Sequence, residues 1–363
     1  MKKILYIIFI LSLLFPLLQL SLGVPKILPL EGYFSPKKNE TPILSLDNWF
    51  SGNFQVPIES YNKKNCPSAP FYIRLRNQID FSLFNIVNVN NVHKGKNNYI
   101  YYLTQYFING GKMLELTEME KKVENLKRIQ DSLNTLGKKI VYVLAPEKLA
   151  IFPEYLPEEM PISSNTFYTY RNYLKLFSKH KINCIDFNAW FISLKDTASY
   201  PLFAKGGKHW AHYYATLAFD SIGDYLRTDF KIPDFEYIKP YFSERPWKVD
   251  YDILNSANLL LDFNDIPLAQ TDFKVQEFEG PQMLIFGDSY FHSIGWRSIL
   301  KQQYSDSSNF WYYNKEMFDS DNKMIGTTSK DYFDRLANNT EIYLIMISLG
   351  NIDNFDFGAL EYF

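Results

Sequence analysis

The segment Met283-Leu284-Ile285-Phe286-Gly287-Asp288-Ser289 joins a short apolar run to a Gly-Asp-Ser turn, and a helical pattern follows at 290–300. An apolar run of this length between turn residues reads as a buried strand. A serine there sits at the carboxyl end of a parallel strand, where open α/β sheets place their ligands. Gly287 permits the tight turn, and backbone N–H groups at the start of the next helix suit an oxyanion. The plainer role for Ser289 is to cap that helix, a position that Ser and Asp both favour.

A serine hydroxyl is a weak nucleophile without a base. The chain has five histidines, His93, His180, His209, His212 and His292. His93 lies in a polar loop rich in Gly and Lys. His180 is at a helix end, His212 on an expected exposed helical turn, and His292 on the helix that Ser289 opens. His209 stands in Gly206-Gly207-Lys208-His209-Trp210, a loop entering a helix, which is where catalytic residues concentrate. His209 is therefore the expected base. Asn351, after the last apolar run, is a candidate hydrogen-bond donor to the site. Tyr313, at the end of another strand, is a candidate pocket wall.

These motifs resemble those of SGNH-hydrolase-like proteins of the alginate O-acetylation type (AlgX/AlgJ-like) and their DHHW-motif relatives. The likeness extends to Trp49-x-x-Gly52-x-Phe54-Gln55, Arg74-Leu75-x-Asn77-Gln78, Lys94-Gly95-Lys96, Ala145-Pro146-Glu147-Lys148 and Pro153-Glu154-Tyr155-Leu156-Pro157. The order, His before Ser, fits the circularly permuted SGNH arrangement of that family. The resemblance implies that Ser289 accepts an acetyl group with His209 as its base. The acetyl then passes to a hydroxyl of an exopolysaccharide or cell-wall glycan, and a membrane-bound O-acyltransferase supplies the donor side. The family's Asp two residues before the histidine, which orients it, is Gly207 here. Three outcomes stay open. Another acid substitutes, with Asp186 and Asp288 as candidates; a Ser–His dyad suffices; or the protein is catalytically weak and binds or assembles glycan. A glycan acetylesterase using water is the competing enzyme reading.

The elements that must position these residues alternate. Apolar runs at 140–144, 182–187, 283–286, 310–313 and 342–347 alternate with helical patterns at 119–136, 165–179, 210–226 and 330–337. Thr117-x-x-Glu120 has the form of a capping box. Strand and helix at this spacing predict an α/β fold with a parallel sheet covered on both faces. With the resemblance, that is an SGNH-hydrolase-like three-layer sheet carrying an N-terminal extension. The expected organisation is a signal peptide or membrane anchor at 1–23, an extension at 24–110 packed on the catalytic domain, and the SGNH-like domain at 111–363. A further helix is expected at 72–84.

Lys2 and Lys3 precede an uncharged run, 4–23, as in an export signal. The remainder is expected outside the cytoplasm, in the periplasm or at the cell surface. Cys66 and Cys184 have no metal-ligand spacing, and a disulfide between them stays open. A net charge of -2 argues against nucleic acid as partner. No motif calls for a cofactor or metal. The 27 Tyr, 30 Phe and 6 Trp suit either an aromatic core or a sugar-binding groove.

Overall fold

The computed structural model describes residues 2–22, 27–31, 42–65, 68–104, 107, 114–158, 160, 162–163, 165–234, 239–243, 248–261, 263, 266–272, 279–295 and 300–363. The chain divides into two compact units, residues 1–90 with 254–264, and residues 91–253 with 265–363.

The first unit is helical. It contains α1 (Lys2–Leu22), α2 (Leu46–Phe50), α3 (Gln55–Asn65) and α4 (Ala69–Leu83). Ser45 caps α2 by accepting the Asn48 N–H. The helix expected at 72–84 starts three residues earlier, because Pro70 sits in the first turn, where its missing N–H is harmless. Buried Asn77 on α4 donates to the Ala257 carbonyl at 2.7 Å and so ties the two stretches of this unit together. Among the described residues no helix is long and apolar enough to cross a membrane, although several side chains of α1 are not among them.

The second unit is built on a sheet. Its strands are β1 (Val92–Lys94), β2 (Ile100–Tyr102), β3 (Lys139–Ala145), β4 (Cys184–Asp186), β5 (Tyr241–Phe242), β6 (Ala269–Gln270), β7 (Gln282–Gly287), β8 (Asn309–Tyr312), β9 (Glu316–Phe318), β10 (Met324–Thr327) and β11 (Thr340–Ser348). The main sheet has the order β10-β9-β8-β7-β11-β3-β4. The run from β8 to β4 is parallel, while β9 and β10 add as an antiparallel edge. The antiparallel edge differs from the purely parallel expectation. It arises because Tyr313 and Asn314, both at positive φ, turn β8 directly back into β9.

The central strands are apolar on both faces, as a sheet covered by helices requires. Along β11, Tyr343, Ile345 and Ile347 enter one core cluster, and Ile342, Leu344 and Met346 enter the other. β3 divides in the same way, with Tyr142 and Leu144 on one side and Val141 and Val143 on the other. Helices α5 (Leu116–Thr135) and α6 (Lys148–Ile151) come next in the chain, then α7 (Tyr168–His180), α8 (Phe187–Leu194), α9 (His212–Leu226), α10 (Asp252–Ala257), α11 (Ser289–Gly295), α12 (Leu300–Gln303) and α13 (Lys330–Ala337). One face is covered by α5, α7 and α13 through Met119, Val123, Leu126, Ile129, Tyr173, Phe177 and Phe333. The other is covered by α8, α9 and α11 through Phe191, Tyr214, Phe219 and Phe291. Each fully buried Leu, Ile or Phe contributes about 1.5–3 kcal/mol, so these clusters fix which face of each strand meets which helices.

One local expectation is corrected. The Thr117–Glu120 pattern does not cap α5, whose N-cap is Glu115 and whose first residue is Leu116. Thr117 already lies inside the first turn, after an extended Glu115, so it is not at the cap position. The helix expected after Ser289 is present as α11 over Ser289–Gly295; the rest of its expected span, residues 296–299, lies outside the described residues.

Candidate active site

The strand β7 ends at Gly287 between β8 and β11, and Ser289 is the first residue of α11. A Cβ on Gly287 would meet the Met346 carbonyl oxygen at 3.2 Å and the Phe291 Cβ at 3.4 Å, so the turn is held close to β11. Asp288 is completely buried. Its Oδ1 accepts the Tyr290 N–H at 3.0 Å, and its Oδ2 accepts the Ser348 N–H at 2.8 Å and Asn351 Nδ2 at 2.9 Å. That carboxylate fastens the nucleophile turn to the end of β11.

His209 reaches the serine from the loop that enters α9. Its Nε2 lies 2.9 Å from Ser289 Oγ. The loop is fixed from several sides. Phe203 and Trp210 form a β-bridge, and the Ala211 N–H donates to the Leu202 carbonyl at 2.8 Å. The Trp210 indole N–H donates to Ser293 Oγ on α11 at 2.9 Å, and the His209 ring stands edge-on to Tyr290, 4.8 Å between centroids. The helix that carries the serine therefore also holds the histidine loop.

Asp252, at the start of α10, faces the other imidazole nitrogen. Its Oδ2 is 2.7 Å from His209 Nδ1, and its Oδ1 accepts the N–H groups of Lys208 and Ile253, both at 2.8 Å. Burial pushes this carboxyl upward. The neighbouring His209 and the two backbone N–H groups outweigh that and hold it below the ordinary carboxylate range. A carboxylate only accepts, so it favours the tautomer with the proton on Nδ1 and leaves Nε2 to accept from Ser289 Oγ.

Asp252 is the residue that motif reading missed. It lies in the irregular aromatic stretch between α9 and β7, far from His209 in sequence, with no pattern pointing to it. The structure also gives the reason for Gly207. A Cβ at 207 would lie 2.2 Å from the Asp250 carbonyl oxygen. The segment that delivers Asp252 thus occupies the space of a side chain at 207. Asp250 pins the same segment by accepting the His212 N–H at 3.1 Å.

The other candidates fall elsewhere. Asp186 Oδ1 accepts the Ala189 N–H as the N-cap of α8, and its Oδ2 accepts the Tyr170 hydroxyl at 2.7 Å. Neither Asp186 nor Asp288 contacts His209, since each is held by the turn it braces. Asn351 Nδ2 donates to Asp288 and to Ser348 Oγ at 3.2 Å, so it braces the turn too. Tyr313 sits in the β8–β9 turn against Tyr312 and Phe357. His212, expected to be exposed, is buried at the start of α9. His292 lies over Tyr312 with centroids 5.5 Å apart, and burial lowers its pKa. His93 is on β1 and His180 closes α7. Cys184 is free, with its thiol pushed up to about 12 by burial, and Cys66 lies outside the described residues.

Around the triad the lining is aromatic and charged. Lys208 Nζ lies over the rings of Tyr102 and Tyr290, at 5.2 and 5.8 Å. Burial opposes its charge, but Glu147, Asp288, Tyr313 and Asp252 raise its pKa overall. On α5 and α7, Glu120, Glu124 and His180 bring three ligand-type atoms within 4.8 Å of one another. Lys179 engages Glu120 there and lowers its pKa, so the cluster already holds a cation of its own.

A serine, a histidine and a carboxylate in this sequence of contacts can form and resolve an acyl ester. Residues 92–257 match the family model described as SGNH hydrolase-like domain, acetyltransferase AlgX. The matched stretch contains His209 and Asp252 and ends before Ser289. Similar solved structures include the O-acetyltransferase domain of Pseudomonas putida AlgJ, at 14% identity and TM-score 0.46, covering 72% of this chain and 92% of that one. Pseudomonas aeruginosa AlgX is 13% identical with TM-score 0.45, covering 76% and 70%. Bacillus cereus PatB1 is 12% identical with TM-score 0.43, covering 70% and 95%. Likenesses this distant carry no weight for the roles of individual residues. No curated protein matches the chain by sequence.

Proposed function

We infer that this chain is an SGNH-hydrolase-like acetyltransferase of the AlgX type, and we propose that it moves acetyl groups onto a polysaccharide through Ser289. The observation that carries the proposal is the chain of contacts from Ser289 Oγ to His209 Nε2 and from His209 Nδ1 to Asp252.

Ser289 Oγ attacks the carbonyl carbon of an acetyl ester while its proton passes to His209 Nε2. The resulting oxyanion is met by the backbone N–H of Ser289 at the start of α11, since the N–H groups of Tyr290, Phe291 and His292 already donate to Asp288. Collapse breaks the bond to the donor oxygen, which leaves with the proton from Nε2 and acetylates Ser289. A sugar hydroxyl then gives its proton to Nε2 and attacks the acetyl-serine. Collapse of the second intermediate returns the proton to Ser289 Oγ. Asp252 holds the imidazole in register and stabilises the imidazolium formed in each half-reaction.

Asp252 supports this catalytic reading over the glycan-binding reading that Gly207 raises. The partly exposed aromatic side chains Tyr102, Tyr312 and Tyr313, near the charged groups, suit a sugar acceptor. Transfer of the acetyl to water would make the same site an acetylesterase. By the family resemblance, a membrane-bound O-acyltransferase supplies acetyl groups; the Lys2-Lys3 pair and the uncharged run after it are the ground for export of the chain from the cytoplasm.

The test is intact-mass analysis of the full chain after exposure to an activated acetyl ester. The wild type is expected to gain one acetyl group on Ser289, with none in Ser289→Ala and slow gain in His209→Ala. Equal acetylation of the Ser289→Ala variant overturns the proposal.

A further inference from the structure

The Ala145-Pro146-Glu147-Lys148 motif has no part in the chemistry just described, yet it buries two ionisable side chains beside it. Glu147 and Lys148 are 4% and 3% exposed. Burying such groups costs free energy unless their polar atoms are answered.

Lys148 Nζ donates to the carbonyls of Ile100 at 3.1 Å, Lys205 at 3.0 Å, and Gly207. An ammonium has three hydrogens, and two of these three carbonyls lie in the loop that ends at His209. The same loop is tied to β2 by the Ile100 N–H, which donates to the Lys205 carbonyl at 2.9 Å. Glu147 reaches the loop through Tyr290. Its Oε2 is 3.2 Å from the Tyr290 hydroxyl, and that hydroxyl is also 3.2 Å from the Lys208 carbonyl. The Tyr290 ring in turn forms the edge-on contact with the His209 ring. Burial and the nearby Glu147 keep the Tyr290 phenol protonated far above its ordinary pKa, so its single O–H remains a donor shared between the Glu147 carboxylate and the Lys208 carbonyl.

We propose that Glu147 and Lys148 are positioning residues for His209. Lys148 clamps the backbone carbonyls at 205 and 207, and Glu147 acts through Tyr290 on the carbonyl at 208 and the imidazole itself. Three backbone carbonyls of the loop leading to the base, those of Lys205, Gly207 and Lys208, are thereby held. Pro146 sets both side chains at the carboxyl end of β3, beside the strand that ends at Ser348. The inference rests on His209 being the base, and it names what keeps that base within reach of Ser289 Oγ.

The test uses the full chain in four forms: wild type, Lys148→Met, Glu147→Gln and Tyr290→Phe. Two readouts are taken. One is the pH profile of acetylation of Ser289 by the activated ester. The other, independent of turnover, is the NMR titration of the His209 imidazole, which Asp252, Glu147, Lys208, Tyr290 and His292 face. Lys148→Met is expected to slow acetylation about 10- to 100-fold through misplacement of the base, and to move the imidazole titration. Glu147→Gln and Tyr290→Phe are expected to move the titration in folded protein and to slow acetylation less. If Lys148→Met does not fold, the other two variants decide. An unmoved imidazole titration in folded variants overturns the positioning role, whatever happens to melting temperature. If the wild type forms no acetyl-serine, the proposed activity fails on its own, and the imidazole titration still tests the positioning.

Discussion

At the residue scale, the site turns on which carboxylate faces His209 Nδ1. Asp252 does so at 2.7 Å, with its second oxygen anchored by two backbone N–H groups. Asp252→Asn would put a donor where the imidazole needs an acceptor. That disfavours the tautomer able to take the serine proton. The expected outcome is a fall in the acetylation rate of about 100- to 10,000-fold with an unchanged circular dichroism spectrum. Moving the acid to the position where the family carries it is not expected to rescue. In Gly207→Asp/Asp252→Asn the new Cβ meets the Asp250 carbonyl at a distance no real Cβ shows. Recovered acetylation in that double variant would mean that the 248–253 segment yields easily, and that Gly207 is not a steric requirement.

At the element scale, two short connections carry the site, and each is held by side chains outside the reaction. The β7–α11 turn hangs on Asp288, which accepts from Tyr290, Ser348 and Asn351. Removing that carboxylate leaves buried donors without acceptors. Asp288→Ala is therefore expected to lower unfolding free energy by about 3 kcal/mol in urea titrations. A loss well under 1 kcal/mol would show that water or a shifted Asn351 replaces it. The 205–211 loop hangs on α11 through Trp210 and Ser293, and on β2 through Lys148 and the Ile100 N–H. Sequence periodicity located the strands and helices at both ends of these connections. The connections themselves have no period, so their geometry follows from what packs against them.

At the scale of the whole molecule, partly buried Asp252 and buried Glu147 give opposite contributions to pH-dependent stability. The Asp252 pKa is held below its ordinary value, so its contribution is present above the ordinary carboxylate range and is lost as pH falls through the depressed value. Burial raises the Glu147 pKa, with Lys208 and Tyr290 opposing. An acid raised on folding loses stability as pH climbs from the ordinary range through the raised value. Thermal melts across pH should therefore separate two variants. Glu147→Gln is expected to match or exceed the wild type near neutral pH, while Asp252→Asn loses most there and least in acid. A Glu147→Gln protein less stable than the wild type at neutral pH would show that its hydrogen bond to Tyr290 outweighs the cost of burying the charge.

The sequence by itself determined the alternation of strands and helices, the two-faced apolar strands, the Gly-Asp-Ser turn and the loop of His209. All of these are local patterns, because periodicity and turn chemistry act over a few residues. It also carried the resemblance that the family model bears out over residues 92–257. Only the tertiary structure decided which acid serves the histidine. Asp186 and Asp288 are plausible from position along a strand, yet the caps and turns they brace leave no carboxylate oxygen near the imidazole. Asp252 is brought in from an aperiodic segment by packing of the 250 carbonyl against Gly207. Contacts between residues distant in sequence are set by where the chain folds back on itself, and no local pattern records that.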